Sequence, residues 1–324
     1  MSPRQQRLSV LTIGSAARDV FLISKHFGRV EYEDEEHVIL PAEEKIDVPD
    51  IASDVGGGAV NAAISFARLG VRVGCLAKIG ADGSGNEIAR VLKDEKVLDY
   101  LVIDKTHQTG SSVILKGPKG EDTILSHRGA GYEYSRSSFA HELPDADWVY
   151  VSSLGGAIDI LGEVVHQAAL QGSRIAVNPG MLEIEKKQKL LKILKSVDVV
   201  IMNQPEAEAL FGSDDPMVCF QAARAAGLHT IVITLGKNGS IVLDGSYVYK
   251  ARLFKHVPII DQTGAGDAYG AGLIAAIAAG RSMQEAMSYA SANATNVISY
   301  IGARAGILRG PEVDMMNISV SIFE

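Results

Sequence analysis

The sequence predicts an α/β fold built on a mainly parallel sheet covered by helices on both faces. Two observations carry that reading. Short apolar runs of strand length alternate with helical patterns, and glycines stand where those helical patterns stop. A third sets the scale: hydrophobic residues make up 47% of the 324, enough to bury both faces of a sheet. Val10–Gly14 is the first strand. Val71–Ile79 alternates Val71, Val73, Cys75, Ala77 and Ile79 and is the next. Trp148–Ser152, Arg174–Asn178, Asp198–Met202 and Thr230–Leu235 follow as buried strands. Helices are expected over Ala59–Leu69, Ser84–Lys96, Ile158–Leu170, Glu183–Lys195 and Met217–Ala226, with Gly70, Gly172 and Gly227 as stops.

Two stretches break the alternation. Phe21–Val48 and Tyr100–His127 both read as strands, the second with a hairpin turn at Gly117-Pro118-Lys119-Gly120. They either pair as a small sheet forming a lid beside a ligand cleft or extend the edge of the main sheet. The pattern alone leaves both open. Without repeats or low-complexity linkers, residues 1–324 are expected to form one domain, with lid strands inserted at about 20–50 and 100–130.

Bulk properties narrow the partners. A net charge of −8 disfavours a nucleic-acid surface or an anionic membrane. An anionic substrate would need local positive charge from helix N-termini or a metal. Cys75 and Cys219 have no metal-ligand spacing and read as buried residues of a reducing compartment. None of the eight histidines has ligand spacing either. The first ten residues are polar, with Arg4 and Arg7, and Ala271–Ala279 is too short to span a bilayer. The expectation is a soluble, cytoplasmic protein.

The most informative segment is Asp261-Gln-Thr-Gly-Ala-Gly-Asp267, followed by a small-residue helix through Ala279 that stops at Gly280. Small residues at a helix start leave N–H groups bare and favour an anion. A carboxylate, Asp267, stands inside that anion site. Taking a proton from a hydroxyl that attacks a phosphoryl group would explain it. A tight turn with an Asp cap is the plain alternative. Polar residues also end the strands: Asn178, Asn203 and Thr234. In parallel sheets ligands bind beyond those ends, although each residue also suits a helix cap. Asn203-Gln204-Pro205-Glu206 is either a capping sequence or a means of holding water around magnesium. Thr234-Leu235-Gly236-Lys237-Asn238-Gly239 allows close approach to a phosphate or makes a hairpin into Ser240–Leu243.

Gly56-Gly57-Gly58-Ala59-Val60-Asn61 opens a helix, and its bare N–H groups with the Asn61 amide suit sugar hydroxyls. The glycines are contiguous, so this is not a dinucleotide fingerprint, and there is no Walker A run. Gly80-Ala81-Asp82-Gly83 reads as a turn, and the acidic run Glu31–Glu36 as solvated.

In this order the motifs resemble the ribokinase-like sugar kinases, the phosphofructokinase-B family, from Gly14 to about Gly306. The resemblance implies a ribokinase-like three-layer sandwich with a small β-sheet lid. It implies Asp267 as catalytic base, with the amides of Gly264, Ala265 and Gly266 as an anion hole. It places Asn203 and Glu206 at the metal and phosphate motif, with Glu206 holding magnesium through water. Thr234, Gly236 and Gly239 fall at the ATP-binding turn, and Asn178 and Asn293 join the nucleotide contacts. Asp261 and Thr263 take the position of a monovalent cation, usually potassium. Asp19, Gly57, Gly58, Asn61 and Arg128 fall to the acceptor. The lid implies a homodimer contact.

Three positions depart from the family pattern: Ala17 where ribokinases carry Asn, Gly58 where they carry Lys, and Gln262 inside the signature. The first two alter the sugar pocket and leave ribose in doubt. The expected activity is ATP-dependent phosphorylation of a hydroxymethyl group of a sugar, with a nucleoside kinase as alternative. A phosphosugar acceptor would need a basic cluster, and Lys25, Arg29 and Arg128 are scattered. A sensor without catalysis is the reading from another class, and the intact Asp267 argues against it.

Overall fold

The computed structural model describes residues 8–32, 35–118, 122–132, 134–135, 142–252, 257–310 and 319–323. In chain order the elements begin β1 (Leu8–Gly14), β2 (Ala17–Ile23), β3 (Arg29–Tyr32), β4 (Glu35–Val38), β5 (Asp50–Gly56), α1 (Gly58–Arg68), β6 (Val73–Gly80) and α2 (Gly83–Asp94). Then come β7 (Leu98–Asp99), β8 (Val102–Asp104), β9 (Gly110–Lys116), β10 (Asp122–His127), β11 (Ala146–Ser152), α3 (Ile158–Leu170), β12 (Arg174–Asn178), α4 (Met181–Ile184) and α5 (Lys187–Leu194). The last are β13 (Val199–Asn203), α6 (Gln204–Phe211), α7 (Pro216–Ala225), β14 (Thr230–Thr234), β15 (Ser240–Asp244), β16 (Tyr247–Ala251), α8 (Ala265–Ala278), α9 (Met283–Val297) and β17 (Val320–Phe323).

The large sheet has the order β17-β16-β15-β14-β13-β12-β11-β1-β6-β7, with β8 also on β6. From β14 through β6 every pairing is parallel, while β15, β16 and β17 add an antiparallel edge. The parallel strands are near-continuous apolar runs because both faces are covered. Alternate residues enter two cores. Val10, Trp148, Tyr150, Ala176 and Val232 pack with α1, α2, α8 and α9. Leu11, Ile13, Val149, Ile175 and Ile231 pack with α3, α5, α6 and α7. The result is a three-layer α/β sandwich.

A second sheet of four strands, β10-β9-β2-β5, stands apart from the first. Both alternatives for the irregular stretches are realised. β2, β5, β9 and β10 form the lid, whereas β7 and β8 extend the edge of the large sheet through β6. The lid begins earlier than expected, at Ala17, and its first segment runs on to Gly56. The hairpin turn at Gly117–Gly120 runs outside the described residues at 119 and 120, but β9 and β10 pair antiparallel across it. Residues 33 and 34 of the acidic run also lie outside, and its described members Glu31 and Glu36 are exposed.

One predicted helix is broken. Glu183–Lys195 is the end of α4 followed by α5, with the break near Lys186. The Glu183 side chain is drawn into the interior, where its carboxylate accepts four hydrogen bonds. A single straight helix would carry that carboxylate away from those donors. Asp82, expected only in a turn, caps α2 by accepting from Gly85 N at 2.8 Å and also holds the Thr109 amide at 2.7 Å. It thereby fastens the chain entering lid strand β9.

Candidate active site

The carboxyl ends of β1, β11, β12, β13 and β14 border a run of cavities, and the first turn of α8 stands among them. Gly264 caps α8 in the left-handed region at φ +76°, and a Cβ there would lie 2.3 Å from Ala303 Cβ. Only glycine suits both demands. No side chain caps this end. The Ala265 amide bonds to the Gln262 carbonyl at 3.2 Å, so it is engaged in this structure, although Ala265 lines the same cavity as Gly266. The amides of Gly264, Gly266 and Asp267 have no hydrogen-bond partner among the described residues, so these are the open donors. The helix dipole adds to their positive potential.

Asp267 Oδ2 accepts from the Asn61 amide at 2.9 Å. Burial lifts the Asp267 carboxyl to about 6; the Asn61 hydrogen bond opposes the rise and the Asp19 charge adds to it. Asn61 sits on the first turn of α1 and is 5% exposed, and its Oδ1 is buried without a partner. An orphaned acceptor beside a buried carboxylate is suited to a hydroxyl donor from a ligand. Gly58 contacts β11: a Cβ there would come within 2.6 Å of Ser152 Oγ. The lysine of the family pattern therefore has no room at this position.

Three cavities meet at this turn. One of about 220 Å³ lies under the lid and includes Ala17, Asp19, Gly57, Gly58, Asn61 and Asp267, with Ile114 and Ile124 as apolar wall. Asp19 faces it from β2 opposite Asp54 of β5 and Ser112 of β9. Burial raises the Asp19 carboxyl to about 6; Ser112 opposes the rise, and Asp54 and Asp261 reinforce it. Arg128 is exposed and does not line this cavity; Ser126 and His127 do. That corrects the placement of Arg128.

A larger cavity of about 550 Å³ lies on the other side of α8, bordered by Asn203, Thr234, Gly236, Gly239 and Gly266. The hairpin reading of the Thr234–Gly239 turn also holds, since β14 and β15 pair antiparallel across it. Lys237 contributes a cation there, and Ser291 contributes a buried hydroxyl that has no partner. Asn293 is a correction. It is fully buried, donates to Ser65 Oγ and the Ala268 carbonyl, each at 2.9 Å, and accepts from Leu308 N at 3.0 Å. It braces α8 against α1 and the chain after α9 instead of reaching a nucleotide.

Between the two lies a third cavity, lined by Asn178, Gly180, Glu206, Ser152 and Asp267. Asn178 is tied to the Ile201 carbonyl at 2.8 Å through its amide nitrogen. Asn203 and Glu206 form a reciprocal cap on α6: Asn203 Oδ1 accepts from Glu206 N at 2.9 Å, and Glu206 Oε2 accepts from Asn203 N at 2.8 Å. The capping reading is thus correct, and the cap also presents Glu206 to the cleft. Burial raises the Glu206 carboxyl to about 7; the Asn203 amide opposes this, and Glu183 and Asp267 add to it. Among the described residues, no group of three or more His, Cys, Asp or Glu could hold a metal ion.

Sequence reasoning missed Glu183. Only 1% exposed, it accepts from Ser153 Oγ at 2.9 Å, Leu154 N at 2.9 Å, Gly156 N at 2.8 Å and Gly180 N at 3.0 Å. It shapes the loops after β11 and β12. A glutamate following Pro-Gly in an amphipathic pattern gives no signal of that. Lys116 was missed as well. Asp261 and Thr263 are brought together as expected, but Lys116 Nζ of the lid lies 3.3 Å from Asp261 Oδ1.

These elements define a phosphotransferase cleft of the ribokinase fold. The pattern of the pfkB family carbohydrate kinases matches residues 8–309, and the chain belongs to that family. The ribokinase of Haemophilus influenzae is 28% identical over 268 residues, covering 78% of this chain and 83% of that protein. The cytidine kinase of Thermococcus kodakarensis is 27% identical over 255 residues, covering 76% of this chain and 88% of that one. Arabidopsis thaliana ribokinase, solved with ribose and ATP, superposes with a TM-score of 0.78 at 22% identity, over 96% of this chain and 99% of that one.

Proposed function

We propose that the protein transfers the terminal phosphoryl group of ATP to a hydroxymethyl group of an uncharged sugar. One observation carries this reading: the first turn of α8 borders the cavity of about 550 Å³ through Gly266 and the cavity under the lid through Asp267. A hydroxyl in the smaller cavity would meet Asp267, and a phosphoryl group in the larger would meet the open amides.

Phosphoryl transfer has a loose transition state, so positioning and charge stabilisation dominate. Asp267 accepts the hydroxyl proton, and its raised pKa keeps it basic enough for that near neutral pH. The open amides stabilise charge on the transferred group. ATP fits the larger cavity through Lys237 and the orphaned Ser291 hydroxyl. Magnesium fits Glu206 as a water-mediated contact, since such ions use one or two carboxylates plus substrate phosphates. When bound it would offset phosphate charge that this acidic chain otherwise meets with few cations.

The acceptor cavity argues for a small neutral substrate. Its roughly 220 Å³ is the space of about seven waters, on the scale of a monosaccharide. Among the described residues no Lys or Arg lines it, and His127 is the one basic side chain a phosphorylated sugar would meet there. A nucleoside is the second reading. The small residues Ala17 and Gly58 and the apolar wall of Ile114 and Ile124 would accept a base if the lid opened outward. Screening sugars and nucleosides for ADP release tests both readings. Turnover with a pentose or hexose supports the first, turnover confined to nucleosides the second, and no acceptor in either class contradicts the proposal.

A further inference from the structure

Lys116 ends lid strand β9, yet its side chain is 5% exposed and lies between two carboxylates. Its ammonium is 2.7 Å from Asp122 Oδ1 on the lid and 3.3 Å from Asp261 Oδ1 beside the start of α8. Asp261 is itself 2% exposed. Its Oδ1 also accepts from Thr263 N at 3.1 Å and Thr263 Oγ1 at 2.8 Å, and its Oδ2 accepts from Gly302 N at 2.7 Å. Three of these donors thus crowd Oδ1, which offers about two lone pairs, and one meets Oδ2. The other lid carboxylate nearby, Asp54, is already paired with Arg304. Among the described residues, Lys116 is therefore the cation paired with Asp261.

These residues do not fit a resident monovalent cation. Such an ion would share Asp261 with an ammonium already in place, and two positive charges a few ångströms apart repel strongly where water is excluded. Gly302 presents a donor to the carboxylate, whereas an ion needs oxygen ligands.

We infer that the Lys116 ammonium takes the part of a monovalent cation, fixing the Asp261–Thr263 turn that sets the start of α8, so that the protein works without potassium. Because Lys116 belongs to the lid, the same contact makes the order of that turn depend on lid position. A dissolved ion would give no such coupling. Lys116 is a positioning residue: it acts through Asp261 on the Gly264–Asp267 turn. The inference rests on the kinase reading above.

The test compares potassium chloride with tetramethylammonium chloride at equal ionic strength. It reads the melting temperature, the Kd for magnesium–ADP and, with an accepted sugar or nucleoside, kcat. The native protein is expected to change less than twofold in Kd and kcat, with an unmoved melting temperature. Lys116→Ala is expected to lose at least tenfold in kcat in tetramethylammonium. Potassium or ammonium should restore at least fivefold of it and should raise the melting temperature of that variant only. Potassium activation of the native protein beyond threefold overturns the inference. So does a Lys116→Ala protein as active as the native one, or a folded one that no small cation restores. If Lys116→Ala does not fold, Lys116→Arg and the native protein decide, and both must be indifferent to potassium. The melting and ADP-binding readouts need no acceptor, so they stand even if the kinase assay finds none.

Discussion

The Asp267 carboxylate sits among groups that oppose its ionisation: burial first, then the Asp19 charge, with only the Asn61 amide pulling the other way. Its folded-state pKa of about 6 lies above the unfolded carboxylate value near 3.9. The folded protein thus holds this proton more tightly than the unfolded chain. The group favours folding fully below about pH 4, and that contribution is lost as pH rises through about 6. Asp267→Asn should therefore melt higher than the native protein at pH 8 and converge with it below pH 4, while kcat falls on the order of 10²–10⁴-fold. Melting curves across pH, set beside kcat, check this. A variant that is both less stable at pH 8 and inactive would make Asp267 a structural residue. Asp19 makes a separate prediction. Asp19→Ala should raise the acceptor KM at least tenfold, because a hydrogen bond to a charged group contributes about 1.5–3 kcal/mol, with little change in the KM for ATP. Steady-state kinetics in both substrates decide it, and equal rises in the two KM values would remove Asp19 from the acceptor pocket. Asp267 stood out in the sequence because small residues precede it at a helix start, whereas Asp19 was reached only through the family resemblance. Neither route reached Lys116 or Glu183, since each acts through partners distant in the chain.

At the scale of elements, the parallel strands were readable because burial on both faces turns them into apolar runs. The antiparallel edge was harder: β16 has Tyr247 and Lys250 facing outward, and β17 follows residues outside the described set. Helix α4 was misread because the pattern of Leu190, Leu191 and Leu194 continues backward through Glu183, although that carboxylate turns inward. Its position predicts a large effect. Glu183→Ala would leave the Leu154, Gly156 and Gly180 amides without their acceptor in a buried loop cluster. The expected destabilisation is about 3 kcal/mol or more in urea unfolding. A change below about 0.5 kcal/mol, ordinary for a surface substitution, would mean the loops hold themselves.

For the whole molecule, the lid was the part hardest to read, because the irregular stretches are divided between the lid sheet, the β3–β4 pair and the edge of the large sheet. On one face it leaves Ile51 and Leu125 exposed at 65% and 57%. Exposed apolar side chains on an isolated small sheet favour a partner, and a second copy is proposed. Light scattering should then give twice the chain mass of 34.4 kDa, and Leu125→Glu should shift it toward a monomer. A native monomer at all concentrations would refute the dimer without touching the chemistry. The central claim is that this cleft moves a phosphoryl group from ATP to a neutral hydroxyl compound through Asp267. Its most direct measurement is acceptor-dependent ADP release by the native protein beside Asp267→Asn, with the product's mass read in the same sample. The expected result is ADP formed only with acceptor, a product heavier by one phosphoryl group, and loss of both in the variant. ADP release independent of any acceptor, or unchanged in the variant, would contradict it.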